Sequence, residues 1–346
     1  MIDWTQAYTV DWRLVEVNQD TWASGTSVPY VQSVSISRDC TDDYPLLETA
    51  SIKMDGSVER LKPGWYRVEG LFTQNAHMER IPIMTMLCES TKGTRNRNLV
   101  SLDVDGLSVL QPAKERNLLA GTYVPKGANG PKRAAEYLEK CIAAPVVVHG
   151  SFTLDDPLVL DADISYVRAA WTIIDAGGWC MQVHGDGTVH IMEKPSQPDL
   201  SLDQAHASLL RPSVSFDENV ESVPNHYVAV DGSQIAEAWN DDPESFLSTV
   251  SRKRTIDMVD RSPIRINGES LNAYANRKLE EESTIVKTYD YDRNWWPDVY
   301  PFSTVRGSIP ESGLVTDMRV LSQSFECANG ITVSETSGVI EKGYVA

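Results

Sequence analysis

Cysteine is scarce in this chain of 346 residues, and its spacing suits neither a metal site nor a disulfide framework. The cysteines are odd in number and far apart, and no two of them form a Cys-x-x-Cys pair; they are Cys40, Cys88, Cys141, Cys180 and Cys327. Zinc sites and disulfide-stabilised folds need paired or regularly spaced cysteines. We therefore expect free thiols that behave as small buried hydrophobic side chains.

Long apolar runs are also missing. A membrane-spanning helix needs about 18 or more consecutive apolar residues, and the sequence contains no such run. Residues 1–10 lack both the basic start and the continuous apolar stretch of a secretory signal peptide. We expect a chain without a membrane-spanning segment that is made and folded in a cytoplasm.

Basic residues are too few and too scattered for a surface that binds nucleic acid. The chain has 31 lysine and arginine residues against 49 acidic ones, which gives a net charge of −18. Phosphate binding needs basic clusters, and the nearest candidate, residues 92–97, is predicted to be a solvated loop. We expect no specific nucleic-acid binding. An acidic surface suits a conduit that DNA passes without adhering, and it suits plain solubility equally well.

Motifs of catalysis are absent as well. The sequence contains no Gly-x-Ser-x-Gly elbow, phosphate-binding loop, dinucleotide fingerprint or His-Glu-x-x-His helix. Two runs, residues 241–244 and 280–282, are acidic, but sequence spacing does not establish the distance that paired-carboxylate hydrolysis requires. We interpret both runs as solvated faces. We predict a protein that is not an enzyme and that binds no cofactor.

The sequence does contain many short alternating segments that are typical of β-strands. Apolar and polar residues alternate in residues 1–120, and turn signals separate the alternating stretches. These turn signals are Ser24-Gly25, Asp55-Gly56, Pro63-Gly64 and Lys92-Gly93. Residues 201–346 contain further strand-like segments and one helical segment, from Leu271 to about Glu282. We predict a mainly β fold with two β-rich arms, residues 1–120 and 201–346.

A small α/β insert, residues 121–200, separates the arms. Pro131 follows a Gly/Pro-rich bridge and suits the start of a helix, and apolar residues recur at helical spacing over residues 131–142. A second helix is predicted for residues 165–176, ended by a Gly-Gly pair. The alternating residues on both sides of Gly185-Asp186-Gly187 predict a β-hairpin.

His184, Asp186 and His190, all in this hairpin, are the strongest chemical candidates in the sequence. Two imidazoles and a carboxylate are suitable ligands for a transition metal. If Asp186 and Gly187 form a two-residue turn, the two histidines project from opposite faces of the hairpin, whereas a three-residue loop brings them together. We predict two ordinary sheet histidines and no metal site, and keep the three residues as metal candidates.

Aromatic residues cluster around Trp295, Trp296 and Tyr300. Aromatic faces of this kind pack on sugar rings, but large amphipathic rings also fill cores and subunit interfaces. We favour an interface or core role for the three residues, and a sugar platform remains the alternative.

Three parts of the chain carry a resemblance to a known family. The first is residues 169–191, a helix that ends in Gly-Gly-Trp and continues into the hairpin. The second is the helix with Leu271, Ala275 and Leu279, followed by residues 284–291, and the third is the closing pair of strands, residues 317–325 and 330–335. In this order and pattern the chain resembles the phage tail hub family, which includes the late control protein D proteins and the central hub of contractile baseplates.

The resemblance implies two β-barrel domains of the tail hub or tube type, residues 1–120 and 201–346, that flank the insert. Three chains would place six barrels in a ring and adapt the sixfold tail tube to a threefold spike or tip around a DNA channel. The implied partners are further copies of the chain, the tail tube or distal tail ring protein, the tail spike, fibre or tip protein, and the tape measure protein. The implied location is the virion tail, assembled in the host cytoplasm.

Two other functions remain open. One is a carbohydrate-binding or carbohydrate-active β-protein of a virion, which the tryptophans and the acidic balance support. The other is a distal tail or receptor-binding component. Oligomeric state separates the hub from the distal tail protein, because a distal tail ring is usually hexameric.

Overall fold

The structure, a computed structural model, describes residues 2–29, 31–40, 47–56, 61–96, 99–202, 210–218, 220–283, 287–310, 313–327 and 330–340. Within these ranges the chain is mainly β, with one large sheet that takes strands from both arms. The predicted mainly β fold with an α/β insert is confirmed. None of the helices in these ranges has the length and apolar character that a membrane crossing requires.

The first arm is built from antiparallel strands whose side chains alternate between core and solvent. Its elements are β1 (Thr9–Val17), β2 (Ser24–Val28), β3 (Val31–Asp39), β4 (Leu47–Gly56), β5 (Gly64–Gln74), β6 (His77–Asn96), β7 (Leu99–Ser108) and the short helix α1 (Gln111–Glu115). In β3, Val34 and Ile36 are buried, whereas Ser35 and Ser37 are exposed. This alternation is typical of an antiparallel sheet with one apolar face.

Strand β6 is longer than the sequence predicts. The predicted turn at Lys92-Gly93 and the predicted loop over residues 92–97 are wrong, because β6 continues to Asn96 and pairs with β7. Arg97 lies outside the described residues. The pairing of β6 with β5 ends at Cys88, so that β7 is the one partner of residues 89–96 among the described strands. Among the strands that the structure describes, this part of β6 therefore has a partner on one side only.

The insert contains both predicted helices and the predicted hairpin. Its elements are β8 (Thr122–Val124), α2 (Gly130–Glu139), β9 (Val146–Val148), β10 (Leu158–Leu160), α3 (Tyr166–Ala176), β11 (Trp179–Val183) and β12 (Val189–Glu193). The side chain of Asn129 accepts a hydrogen bond from Lys132 N at the start of α2, and Ser165 accepts one from Arg168 N at the start of α3. These caps satisfy backbone donors that a helix start leaves free.

The second arm contains the predicted helix and more strands. Its elements are β13 (Leu200–Leu202), β14 (Leu210–Glu218), β15 (His226–Asp231), β16 (Gln234–Trp239), α4 (Thr249–Arg252), β17 (Asp257–Asp260), α5 (Leu271–Glu282), β18 (Lys287–Asn294), β19 (Thr304–Gly307), β20 (Asp317–Cys327) and β21 (Thr332–Val339). The predicted strand start at residues 284–286 lies outside the described residues. A separate sheet in the order β16-β15-β17 packs one face on α5, which the sequence did not indicate.

Strands β20 and β3 pair antiparallel and join the two arms in one sheet. We call this pairing the seam. Their contact runs from Ser322 opposite Asp39 to Cys327 opposite Val34. The strand order around this seam is β14-β18-β21-β20-β3-β4-β7-β6. The arms are therefore one continuous surface rather than two units connected only by the insert.

A row of buried charged and polar side chains crosses the seam on the core side of the sheet. Arg293 Nη2 lies 2.5 Å from Glu335 Oε2, which also accepts a hydrogen bond from Gln323 Nε2 at 2.8 Å. On the other side of the seam, Arg38 Nε lies 2.9 Å from Glu48 Oε1. Burial outweighs the effect of Arg38 and raises the pKa of Glu48 to about 7. The row is held together by mutual pairing in a place that water does not reach.

The hairpin loop of the insert, residues 185–187, attaches to the first arm through its backbone. The carbonyl oxygen of Asp186 accepts hydrogen bonds from Arg67 Nη2 at 2.7 Å and from Trp22 Nε1 at 2.8 Å. The carbonyl oxygen of Gly185 accepts one from Thr85 Oγ1 at 3.0 Å. The insert is thus fixed to strands β5 and β6.

We expect Arg293→Ala to lower the free energy of unfolding by about 3–5 kcal/mol, because it leaves the buried Glu335 carboxylate without its cation. Chemical denaturation followed by circular dichroism measures this loss. The matched control is Arg306→Ala, which removes an exposed pair with Asp317 and should change stability far less. Equal losses in the two variants would contradict a special role for the buried row.

We expect Gly185→Ala to cost about 1–3 kcal/mol and to loosen the insert, because a Cβ atom at Gly185 would lie 2.1 Å from the carbonyl oxygen of Pro82. Limited proteolysis of the insert and the melting temperature report the two effects. Gly330→Ala is the control, since no atom lies within 4 Å of a Cβ placed there. A Gly185→Ala protein that melts and resists proteolysis like the control would show that the loop contact is not close-packed.

Candidate functional site: the polar face of the main sheet

One side of the main sheet carries short polar side chains on eight neighbouring strands, from β14 through the seam to the outer part of β6. We call this side the polar face. Its members are Ser35, Ser37, Thr49, Ser51, Lys53, Ser90, Lys92, Ser101, Asp103, Asp105, Ser215, Asp290, Asp292, Ser322, Ser324, Ser334 and Thr336.

The pairing register keeps these residues on one side across the seam. Ser324 lies opposite Ser37 on β3 and opposite Ser334 on β21. Ser37 in turn lies opposite Thr49 on β4. Because the side-chain period of a strand is two, a single register places all of these side chains on the same surface. The polar face is therefore continuous from one arm to the other.

Carboxylates dominate the charge of the polar face. Its acidic members are Asp103, Asp105, Asp290 and Asp292, and its basic members are Lys53 and Lys92. The Lys92 ammonium lies 3.8 Å from Asp105 Oδ2, which reduces its free positive charge. Such a surface repels phosphate groups and lacks the basic patches that nucleic-acid binding requires.

Hydrogen bonds between neighbouring strands hold the polar side chains in place. Ser334 Oγ donates to Asp292 Oδ1 at 2.6 Å, and Thr336 Oγ1 donates to Asp290 Oδ1 at 2.6 Å. These bonds hold the carboxylates against the sheet rather than extended into the solvent. The result is an acidic wall whose carboxylates are held by hydroxyl groups of the neighbouring strand.

The two histidines of the predicted metal group lie on the same side of the hairpin. His184 N donates to Thr188 O at 3.0 Å, so the loop contains the three residues 185–187, the second of the two loop lengths that the sequence left open. The rings of His184 and His190 stack with centroids 3.9 Å apart. His149, which the sequence analysis did not single out, places Nε2 at 2.8 Å from His190 Nδ1.

Burial disfavours the charged forms of His184 and His190. Burial, supported by the nearby His190, lowers the pKa of His184 to about 4. Burial also lowers the pKa of His190. Asp186 points both carboxylate oxygens at Thr188, with Oδ1 2.9 Å from the backbone N. Among the described residues, no three histidine, cysteine or acidic side chains converge as metal ligands, and the described cysteines are free thiols.

Tyr300 connects this histidine stack to the seam. Its ring stacks on His184 with centroids 4.4 Å apart. The Arg38 guanidinium lies 5.0 Å from the centroid of the same tyrosine ring. Tyr300 OH accepts a hydrogen bond from Gly185 N at 3.3 Å. The tyrosine is therefore a buried joint between the insert and both arms.

The two tryptophans lie in or beside the core. Trp295 is buried and stacks on Phe72 of the first arm with centroids 5.4 Å apart, while Trp4 contacts it edge-on at 5.2 Å. Trp296 is partly buried and packs against the cores of both arms. Trp295 and Tyr300 are both buried, and their rings pack against other side chains of the chain.

The acidic runs are placed in two different surroundings. Residues 241–244 form a surface loop in which Asp242 Oδ1 accepts a hydrogen bond from Glu244 N at 2.9 Å. At the end of α5, Glu281 pairs with Arg277 at 2.9 Å and with Lys278 at 2.8 Å. The carboxylates of Asp242 and Glu281 are therefore engaged in contacts with nearby residues of the chain.

The polar face itself was not recognised from the sequence. Alternating serine and aspartate residues are visible within single strands, for example in β7 and β20. The sequence does not show that these strands lie side by side, because Ser37 and Ser324 belong to opposite ends of the chain. The alternation of short polar residues, mainly serine and aspartate, with apolar residues along these strands is the signal that could have indicated the face.

Comparisons with known proteins agree with this architecture. No protein-family model matches the sequence, and no curated protein matches it. Among solved structures, a tail protein from Neisseria meningitidis MC58 matches with a TM-score of 0.65 and 13% identity over 96% of this chain and 97% of that one. The 43 kDa tail protein of prophage MuSo2 from Shewanella oneidensis matches with a TM-score of 0.63 and 9% identity over 96% and 98%.

A third similar structure comes from type VI secretion. The Escherichia coli c3393 protein, a component of that system with structural similarity to the bacteriophage T4 tail proteins gp27 and gp5, matches with a TM-score of 0.52. Its identity to this chain is 7%, over 92% of this chain and 75% of that one. The resemblance to tail hub proteins is thus confirmed at the level of the fold, and the chain has the fold of phage tail and type VI secretion tail proteins.

Proposed function

We propose that the protein is a structural hub at the distal end of a phage tail or related injection device. In this proposal three chains form a ring, and the polar face of each lines the channel through which DNA passes. The observation that carries the proposal is the continuity of the polar face across both arms. An acidic surface that carries mostly short side chains and continues over eight strands suits a wall that DNA must pass without adhering.

The open edges of the main sheet support a ring. Among the described strands, β14 ends the sheet on one side, and residues 89–96 of β6 have no partner on the other side of the polar face. An unpaired edge is a template for pairing with another chain. If β14 of one copy pairs with β6 of the next, the contact is head-to-tail, and such contacts give a ring when the rotation between copies closes.

Phe216 on β14 indicates that this edge is incomplete. Its side chain is 64% exposed, although it projects to the core side beside the buried Tyr289. Its ring lies 6.3 Å from that of Tyr289, and Lys287 Nζ lies 4.4 Å from its centroid. A strand added at this edge would cover the aromatic ring.

The seam within one chain suggests how the ring adapts symmetry. Each chain contributes two arms, residues 1–120 and 201–346, so three chains contribute six arms around the channel. The ring then offers sixfold-like surfaces to a tail tube or distal tail ring protein and threefold surfaces to a spike, fibre or tip protein. The tape measure protein would contact the channel before DNA passes. The insert, residues 121–200, is proposed as a separate domain.

The remaining features follow from this role. The protein acts in the virion tail after assembly in the host cytoplasm, and its role is structural rather than catalytic. The buried positions of Trp295 and Tyr300 favour this function over carbohydrate binding. A distal tail or receptor-binding component remains the rival that oligomeric state tests.

We expect Phe216→Asp to abolish the trimer while leaving the fold intact, because an exposed side chain contributes little to the stability of one chain. Light scattering measures the mass of the wild-type and variant proteins. The control is Phe246→Asp, since Phe246 is also exposed but lies outside the main sheet. A wild-type hexamer would favour the distal tail protein, and a trimer that survives in the Phe216→Asp protein would overturn the proposed edge.

We expect lysines on the polar face to make the protein hold DNA. The triple variant Ser51→Lys, Ser324→Lys and Asp290→Lys should bind duplex DNA with an affinity that falls steeply with salt, whereas the wild-type protein should not bind. Electrophoretic mobility at several salt concentrations measures this difference.

The matched control for the polar face carries the same change of charge on the insert. Its substitutions are Ala143→Lys, Ser151→Lys and Asp161→Lys, all at exposed positions. Equal DNA binding by the two triple variants would mean that total charge, and not the polar face, determines adhesion. In a reconstituted tail, slower DNA release by the polar-face variant alone would support the channel.

A further inference from the structure

The small sheet β16-β15-β17 has an apolar outer face. Its inner face packs on α5 through small and aromatic side chains, whereas Val228, Val230, Ile235, Trp239 and Val259 point the other way. We call these five residues the outer patch. Ile235 is 65% exposed, Val259 50% and Trp239 41%. Contiguous exposed apolar residues of this kind mark interaction sites on soluble proteins.

Trp239 is held in a fixed orientation at one corner of the outer patch. Its ring stacks on His226 with centroids 3.5 Å apart and an angle of 18° between the planes. Trp239 Nε1 donates to Glu237 Oε2 at 3.3 Å. One face of the indole is therefore occupied by the imidazole. The exposed area of the ring is held in one orientation and is accessible to a partner.

Two carboxylates border this indole. Asp257 Oδ1 lies 2.7 Å from His226 Nδ1, and Glu237 Oε2 lies 3.8 Å from His226 Nε2. Both acidic side chains are more than half exposed, at 60% and 52%. An exposed indole face beside solvent-exposed carboxylates attracts a lysine or arginine side chain through cation–π and ionic contacts.

We propose that the outer patch docks a basic amphipathic segment of a second protein. The apolar side of that segment covers the valines and Ile235, and a lysine or arginine lies over Trp239 and reaches Glu237 or Asp257. The charge of the surface determines the choice of occupant. A second copy of this chain, with its net charge of −18, would add carboxylates to carboxylates, and nucleic acid would add phosphates. This proposal does not depend on the trimeric ring.

The test uses the full-length protein and two labelled peptides in fluorescence polarisation. One peptide alternates valine with lysine, and the other alternates valine with glutamate. We expect the wild-type protein to bind the lysine peptide and not the glutamate peptide. Trp239→Ala, which leaves the net charge unchanged, should weaken binding about tenfold. Tyr123→Ala removes an exposed aromatic ring of the insert and should leave binding unchanged.

Charge and folding are controlled separately. The double variant Glu237→Gln and Asp257→Asn should weaken binding more than Glu139→Gln with Asp161→Asn, an equal loss of charge at exposed positions of the insert. Ile235→Ser repeats the apolar test without disturbing the stack of Trp239 on His226, and melting temperatures establish that each variant is folded. Failure of the lysine peptide to bind, equal effects of the two double variants, or unchanged binding by Trp239→Ala and Ile235→Ser would overturn the proposal.

Discussion

The pairing of β20 with β3 is the contact on which the rest of the architecture depends. It joins strands from opposite ends of the chain and continues one sheet through both arms. Beneath it, Arg38 and Gln323 approach each other within a buried row that also contains Glu48, Glu335 and Arg293. Buried charges tolerate few alternative arrangements, because each must keep its partner. The row therefore fixes the register in which the arms meet.

That register also determines what the sheet shows to the solvent. A shift of one residue would bring Ser37 and Ser324 into the core and expose Ile36 and Phe325, which are buried. The hydrophobic core and the acidic wall are consequently two results of one alternation. The polar face needs no dedicated strands, since the strands that carry it, such as β3 and β4, also bury side chains in the core.

Local features of the fold were predictable and distant ones were not. Helices α2, α3 and α5 followed from apolar spacing and glycine or proline signals, because these act within a few residues. The sequence left the loop length at 185–187 open, and the continuation of β6 through Gly93 was misjudged, since a glycine permits a turn without requiring one. Gln323 and Arg38 are 285 positions apart, and no short-range pattern in the sequence predicts that they are in contact.

The attachment of the insert through the carbonyl oxygens of Gly185 and Asp186 has a consequence for evolution and for engineering. At this loop β5 and β6 bind the backbone rather than side chains, whereas His184, directly before the loop, contacts the second arm through its ring, which stacks on Tyr300. A different domain at this position would therefore need both a loop of the same backbone shape and a ring that packs on Tyr300. The insert is fixed by two kinds of contact, and an exchange of domains would have to preserve both.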